Sequence, residues 1–522
     1  MAYLNRVFDV QLSEYLDAFG AVLIEGPKWC GKTTTATQHA QSVLKMQNND
    51  TLEATLKTIQ VKPSILLQGA TPRLIDEWQM APRLWDAIRD EVDVRNEVAQ
   101  FILTGSNAVD KKQIQHSGNG RIARLKMLPM SLWESRESNG AISLQALFDN
   151  PQMDIDGIQS ELTVEQLVFA ACRGGWPASL SRKTDQAKLL VARNYFTTVC
   201  EADIQNVDGV YRNPALARAI LRSYARNIST LAKKSNIVAD VNASAENLQV
   251  KTFDDYQQAL QRLFVIQDVE AWNPAIRSKT AIRSGLKREL ADPSIAVAAL
   301  GLSPSTLIKD MKTFGFIFEC LCARDLKVYS APLGTELNYY HDRYELEADF
   351  VLHIADGRYA LIECKLGGND IEEGARHLNE LKSLVQQFNR NNRQTQLREP
   401  DLLIVLTGGQ YAYTREDGVL VVPIGCLKPY GFRGFRGFRV SGDSEFQSFK
   451  VSKFQGFQGF RFTEKSDTYH HLLVIFTEKR DTYHHFLQVA KIVFHIGGLG
   501  NLNVLTGSSM LHVISRSQPS SG

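Results

Sequence analysis

The chain has 522 residues, of which 44% are hydrophobic and 22% charged, so about three soluble globular domains are expected rather than one core. Its formal charge of +2 is unevenly spread: residues 431–522 hold 11 Lys/Arg and 6 Asp/Glu, leaving 48 basic and 51 acidic residues in 1–430. A near-neutral body excludes the global basic field that drives nonspecific DNA binding, so any nucleic-acid contact has to come from local patches. The cysteines, Cys30, Cys172, Cys200, Cys320, Cys322, Cys364 and Cys426, are seven in number and never form CxxC pairs, a pattern of reduced thiols. The opening MAYLNRVFDVQLSEYL carries acids early, and no uninterrupted apolar run of about 20 residues occurs, which argues against secretion and membrane spanning. A cytoplasmic protein with no membrane partner is expected.

The first informative element is the apolar run Ala21, Val22, Leu23, Ile24, which leads into GPKWCGKT at Gly26–Thr33. Strand, glycine-rich loop and helix in that order make a phosphate cradle. Backbone N–H groups of Gly26, Lys28, Trp29, Cys30, Gly31, Lys32, Thr33 and Thr34 can wrap an anionic phosphate, with Pro27 shaping the turn. Lys32 is placed to reach the terminal phosphates, and Thr33 offers a hydroxyl to magnesium, so ATP and Mg2+ are the expected ligands. A chance Gly-rich turn is the alternative; the strand context, both glycines and the Lys-Thr pair weigh against it.

A second apolar strand, Leu74 and Ile75, ends in Asp76-Glu77. Asp76 can hold the magnesium shell while Glu77 polarises water. A third, Phe101 to Thr104, ends in Gly105-Ser106-Asn107, where Ser106 or Asn107 can sense the terminal phosphate. Further on, Arg121 and Arg124 can each neutralise transition-state charge, in the same or a neighbouring subunit of a homo-oligomer; for either, an ordinary surface ion pair is the competing reading. Strands alternating with helical stretches such as PRLWDAIRDEVD imply an α/β fold with a parallel sheet covered on both faces.

The strings LIEGPKWCGKTT, PRLIDEWQMAPRLWDAIRDEVD, FILTGSN and HSGNGRIARLKMLPMSLWE resemble bacterial and archaeal AAA-type ATPases whose C-terminal half is a domain of unknown function. The likeness continues through CRGGWPASL, RSYARNISTLAKKSNIVADV and DPSIAVAAL, and spans roughly residues 1–430. It implies that Lys32, Thr33, Asp76 and Glu77 carry nucleotide binding and hydrolysis.

Residues 212–275 read as two or three short helices, an apolar strand over Leu263–Ile266 and a turn at Trp272-Asn273-Pro274. This suits a winged-helix unit, as the resemblance also implies. Asp254 and Asp255 within KTFDDYQQALQRL are poor company for a phosphate backbone, so a scaffolding role competes with a DNA-facing one.

In EADFVLHIADGRYALIECKLG, two alternating apolar strands flank Ala355-Asp356-Gly357. A three-residue loop with Gly357 left-handed puts Asp349 opposite Glu363, and the period of two brings Lys365 to the same face. Two carboxylates and an ammonium on one sheet face are what a magnesium-dependent nuclease needs. The arrangement is similar to the PD-(D/E)XK nuclease superfamily, whose preceding helix contributes a further Glu; Glu319 in FGFIFECLCARDL is the matching position. A solvated edge hairpin is the alternative, and fold alone does not establish cleavage.

After Lys428-Pro429 the composition shifts to GFRGFRGFRV and GFQGFQGFRF, followed by FTEKSDTYHH and its near-duplicate FTEKRDTYHH, a low-complexity tail expected to be irregular and poorly ordered. The pairs His470-His471 and His484-His485 do not make a metal site by spacing, because adjacent strand residues face opposite ways. The expected organisation is an AAA-type P-loop ATPase domain over 1–160, a helical, winged-helix-like region over 161–290, a PD-(D/E)XK nuclease-like α/β domain over 291–430 and the tail over 431–522. Two functions compete. One is an ATPase that drives a DNA-facing, nuclease-like half, and the other a nucleotide-gated DNA- or protein-binding regulator that does not cut.

Overall fold

The computed structural model describes residues 3–106, 118–243, 247–272, 285–342, 346–392, 394, 396–430 and five strands between 457 and 512. Two compact units divide the chain, Met1–Gly431 and Phe432–Gly522.

The first unit begins with α1 (Val7–Ala18), β1 (Ala21–Glu25), α2 (Lys32–His39), β2 (Ser42–Lys45), α3 (Leu52–Val61), β3 (Arg73–Asp76), α4 (Arg83–Arg95), β4 (Phe101–Gly105) and β5 (Ile122–Lys126). The five strands form one sheet in the order β2-β3-β4-β1-β5, every pairing parallel. Strands covered on both faces are apolar throughout rather than alternating, and β1, with Ala21, Val22, Leu23 and Ile24 fully buried, follows that rule. The period of two then sorts the side chains. Leu23, Ile75 and Leu103 pack with Ile59 of α3 and Ile88 of α4, while Val22, Ile24, Leu74 and Ile102 meet Leu12 and Leu16 of α1 and Ala36 of α2.

Next come β6 (Ile142–Ser143), α5 (Leu144–Asp149), α6 (Val164–Arg173), α7 (Pro177–Leu180), α8 (Asp185–Glu201), α9 (Pro214–Arg226), α10 (Lys234–Asn242) and α11 (Val250–Arg262). Three helices, α9, α10 and α11, thus occupy the 212–275 segment that suited a winged-helix unit, but the expected apolar strand over 263–266 does not form. Phe264 has φ 59°, and the Val265 N–H closes back on the Leu260 carbonyl at 2.9 Å; a left-handed residue at the helix end turns the chain out of an extended path. In place of that strand, a thin ribbon is made by the bridges Ile266↔Leu290 and Val269↔Lys287. Asn273 and Pro274 lie outside the described residues.

The remainder comprises β7 (Glu270–Ala271), α12 (Pro293–Leu300), α13 (Pro304–Leu307), α14 (Met311–Ser330), β8 (Leu337–His341), β9 (Glu347–His353), β10 (Tyr359–Lys365), α15 (Ile371–Asn391), β11 (Leu402–Thr407), β12 (Tyr413–Thr414), β13 (Leu420–Pro423) and β14 (Leu427–Lys428). A mixed seven-stranded sheet runs β12-β13-β11-β10-β9-β8-β7. Its β9–β10 hairpin has the register read from the sequence: Ile362 pairs with Phe350 and Tyr359 with His353, and Gly357 takes φ 88°, which the three-residue turn requires.

Residues beyond the first sheet are knitted together more tightly than a string of separate domains. β14 pairs with β6, Gln159 bridges Tyr411, and one apolar core runs from Leu144 through Leu221, Ile295 and Leu321 to Leu427. At its centre, Arg324, with only 1% of its side chain exposed, ion-pairs with Asp292 at 3.0 Å and Asp325 at 2.7 Å. Asp292 also accepts the Gly175 N–H at 2.8 Å, and Asp325 the Leu132 N–H at 3.0 Å. The motif segments around residues 132, 175 and 292 therefore converge on one guanidinium. In the second unit, β15 (Phe457–Phe462), β16 (Tyr469–Phe476), β17 (Gln488–His495), β18 (Asn503–Thr506) and β19 (Ser509–His512) form an antiparallel meander, within the stretch read as a low-complexity tail. His484 and His485 lie outside the described residues.

Removing one member of a buried charge network strands the others without a counter-charge. Arg324→Met is expected to cost about 3–5 kcal/mol of folding stability, measured by urea denaturation of the full chain.

Candidate functional site

At the carboxyl end of β1 the chain turns through a loop that tolerates no side chain at its first position. Gly26 has φ 151°, and a Cβ there would lie 2.1 Å from the Met127 carbonyl oxygen; Met127 in turn donates its N–H to Glu25 at 2.7 Å. Arg6, only 4% exposed, clamps the loop from beneath. Its guanidinium donates to the carbonyls of Cys30 and Leu128, each at 2.8 Å, and to Glu134 Oε1 at 2.9 Å. Glu134 also receives the N–H groups of Val7 and Ser131 at 2.8 Å. Burial of the guanidinium opposes its charge, and the Glu134 carboxylate outweighs that and holds it protonated. Gly31, at φ 106°, passes the chain into α2.

Lys32, Thr33, Asp76 and Glu77 come together at the end of the loop. Lys32 is 5% exposed, and its ammonium donates to the loop carbonyls of Gly26 at 2.9 Å and Pro27 at 2.8 Å. Thr33 donates its hydroxyl to Asp76 Oδ1 at 2.7 Å, and Thr104, read from sequence only as a strand residue, donates to the same oxygen at 2.6 Å. Glu77 occupies the left-handed region at φ 58°, uncommon for a side chain of its size and frequent at functional turns. Its carboxylate accepts from Ser106 at 3.1 Å and from the Gln79 side-chain amide. Asn107 lies outside the described residues.

These groups open on a cavity of about 900 Å³, lined by Trp29, Lys32, Thr33, Thr34, Glu77 and Ser106 from the sheet side and by Pro177, Arg182, Leu190 and Asn194 from α7, α8 and their connection. Arg182 was not foreseen; it lies over a hundred residues from the loop, and no local pattern marks it. Around the rim, Lys28 pairs with Asp203 at 2.6 Å, and Trp29 meets the edge of Tyr195 at 5.7 Å. Cys30 is buried. The two candidate arginines stand elsewhere. Arg121 precedes β5 at the amino end of the sheet, opposite the loop, and pairs with Asp93 at 2.8 Å, so it cannot serve the phosphates of its own chain. Arg124, mid-strand beside Leu23, pairs with Glu25 at 3.2 Å and covers the Trp85 ring.

Residues 18–135 match the family model of the AAA domain. The chain carries an AAA-type P-loop domain. Two further models match, each a domain of unknown function: DUF8612 over residues 164–306 and DUF4143 over residues 314–427. Among solved structures, the chain is similar to a Walker-type ATPase of Pyrococcus abyssi at 12% identity, covering 57% of this chain and 96% of that one with a TM-score of 0.34. It is also similar to a STAND signal-transduction ATPase with a tetratricopeptide-repeat sensor from Pyrococcus horikoshii, at 12% identity over 64% of this chain and 49% of that one, TM-score 0.21. No curated protein matches the chain. Among the described residues, no helix is long and apolar enough to cross a membrane.

Glu319, Asp349, Glu363 and Lys365 are also brought together, with Lys287, a residue the sequence reading missed, between Glu319 and Asp349. Lys287, from the ribbon, is 5% exposed and ion-pairs with Asp349 at 3.0 Å and with Glu319. Lys365 pairs with Glu363 at 3.0 Å, and His377 of α15 approaches the other Glu363 oxygen at 3.8 Å. Burial pushes both Glu319 and Glu363 up, reinforced in each by the Asp349 charge. Burial acts on Asp349 in the same sense, but the Lys287 and Lys365 ammoniums win and hold it below the usual carboxylate range. The DNA-facing reading of the helical region gains nothing from α11, where Asp254 pairs with Lys234 and Asp255 with Arg212; both basic partners are spent internally.

Gly26→Ala combines a strained φ with a backbone clash, a penalty of at least about 1–3 kcal/mol. ATP affinity is expected to fall about ten- to hundredfold, read by calorimetry, while the rest of the fold is kept.

Proposed function

We propose that this protein is a magnesium-dependent ATPase in which the nucleotide is held between the AAA domain and the following helical region, so that hydrolysis alters how those helices sit on the loop. The observation that supports this reading most directly is the shared cavity, whose walls come from the phosphate loop and from α7 and α8. A polyphosphate there meets Lys32 and the α2 amino end from below and the Arg182 side chain from the helical side. The donor set suits magnesium: the Thr33 hydroxyl and the Asp76 carboxylate already touch at 2.7 Å, a hard oxygen pair of the kind the ion takes with phosphate and water. When bound, magnesium neutralises charge on the terminal phosphates.

Protein groups account for the remaining steps. Lys32 gives up the Gly26 and Pro27 carbonyls for phosphate oxygens, which exchanges neutral acceptors for anionic ones. Glu77, oriented by Ser106 and Gln79, accepts a proton from the attacking water. Lys28 links the loop directly to Asp203, so a loop drawn toward phosphate pulls on the chain that follows α8. The C-terminal α/β domain shares the core of that helical region, and the ATP-driven change reaches it through packing.

Lys32→Ala is expected to lower turnover about a hundred- to thousandfold, the cost of one preorganised positive donor. Glu77→Gln is expected to lower it about 10²–10⁴-fold with ATP affinity within a few-fold of wild type, and this separation between binding and turnover, measured by calorimetry and phosphate release, is the test. Equal loss of both in Glu77→Gln removes the proton-acceptor role. Duplex DNA added to the wild-type assay tests the DNA-facing reading: stimulation of turnover supports it, and unchanged turnover removes it.

A further inference from the structure

The resemblance of the C-terminal half to a metal-dependent nuclease rests on Glu319, Asp349, Glu363 and Lys365, and the structure gathers all four. Whether a divalent cation fits among them is decided by what already lies there. Lys287 reaches the cluster from the ribbon, where it bridges Val269. Its ammonium donates to Asp349 Oδ1 at 3.0 Å and to the Asp349 carbonyl at 3.2 Å, contacts Glu319 Oε1, and lies 4.8 Å from the centre of the Phe350 ring. Two Asp349 oxygens that accept its hydrogen bonds, the Glu319 oxygen and an aromatic face surround it.

A metal bound by Asp349 and Glu319 would have to sit between the same oxygens, about 2.0–2.6 Å from each. The Lys287 nitrogen already fills that space, and a dication beside it would meet a like charge inside a buried site. The remaining Asp349 oxygen, Oδ2, accepts the Cys364 N–H at 2.8 Å. Glu363, the other carboxylate on that sheet face, lies 3.0 Å from the Lys365 ammonium, while neither of its buried oxygens has a hydrogen-bond partner. Among the described residues, no set of three or more His, Cys, Asp or Glu side chains is arranged to hold a metal ion. The space between Asp349 and Glu319 therefore does not fit a divalent metal while Lys287 occupies it.

We propose that Lys287 is the resident cation of this cluster: it takes the position of a divalent metal, ties the ribbon of the helical region to β9 and α14, and leaves the α/β domain a non-cleaving module that binds no divalent cation there. The nuclease-type carboxylates serve as the counter-charges of a latch. Removing the ammonium would vacate the place between Asp349 and Glu319 and leave two oxygen ligands facing it.

The test uses the full chain without nucleotide and manganese as the probe. Wild type, Asp349→Asn, Lys287→Ala and the Lys287→Ala/Asp349→Asn double variant are titrated with Mn2+ by calorimetry and by the loss of the free-ion resonance signal, and melted with and without 1 mM Mn2+ (about this order suits a weak oxygen site). The expected result is identical manganese binding by wild type and Asp349→Asn, an unchanged wild-type melting temperature, and one extra site in Lys287→Ala that raises its melting temperature by several degrees and disappears in the double variant. Manganese binding by wild type that is lost in Asp349→Asn overturns the proposal, as does manganese-dependent nicking of plasmid DNA lost in that variant. A folded Lys287→Ala protein that gains no site overturns it too. Should Lys287→Ala not fold, Lys287→Gln keeps the side-chain length and removes the charge, and the comparison of wild type with Asp349→Asn stands independently of either.

Discussion

A single carboxylate oxygen, Asp76 Oδ1, receives hydroxyls from two different elements, Thr33 at the start of α2 and Thr104 near the end of β4. β3 is not adjacent to β1 in the sheet; β4 lies between them. The acidic strand tip can therefore serve the phosphate loop only by reaching over β4, and Thr104 is the post that supports the reach. The same hydroxyl accepts the Glu77 N–H at 3.1 Å, which fixes the left-handed turn presenting that carboxylate to Ser106. Asp76 and Glu77, the acids proposed to hold magnesium and to accept the water proton, are thus positioned by one side chain of the intervening strand. Charge-assisted bonds of this type are stronger than neutral ones and hold geometry well.

The loop itself is held from outside the sheet. Arg6, before the first helix, binds carbonyls at Cys30 and Leu128 and a carboxylate at Glu134, so the amino terminus, the phosphate loop and the segment after β5 form one rigid clamp. From there a second charged centre takes over. The Leu132 N–H is bound by Asp325, and Asp325 shares Arg324 with Asp292 and so with Gly175. Buried ion pairs of this sort contribute little net stability compared with apolar packing, but they punish displacement of any partner severely. That asymmetry suits the proposed ATPase, in which separate segments would keep register while one of them responds to nucleotide.

Local chemistry carried the parts of this molecule that could be read in advance. The phosphate loop was legible because a strand, two glycines and a Lys-Thr pair sit within thirteen residues, and the β9–β10 register because Gly357 selects the turn and the turn selects which face Asp349 and Glu363 share. The expected strand at 263–266 failed because its apolar composition is also that of a buried helix exit, and composition does not reveal the left-handed Phe264. Arg6, Thr104, Arg182 and Lys287 were invisible for a different reason: each acts on residues far off in sequence, Lys287 on Asp349 at a separation of 62, and nothing local distinguishes them from ordinary surface or strand residues.

The C-terminal cluster shows what a motif spacing does and does not determine. Spacing and register fix which carboxylates share a sheet face; they are silent on the counter-charge, and three buried acids require one. A divalent ion, two lysines or proton uptake each meet that requirement with the same Asp, Glu and Lys string. Here the supply is two ammoniums, Lys287 and Lys365, which hold Asp349 charged, while burial and the Asp349 charge push both Glu319 and Glu363 up. The balance also accounts for the ribbon that replaced the expected strand: its Lys287 end is anchored in the acid cluster while its Ile266 end pairs with Leu290, so the helical region and the α/β domain are joined through the very residues that elsewhere would define an active site.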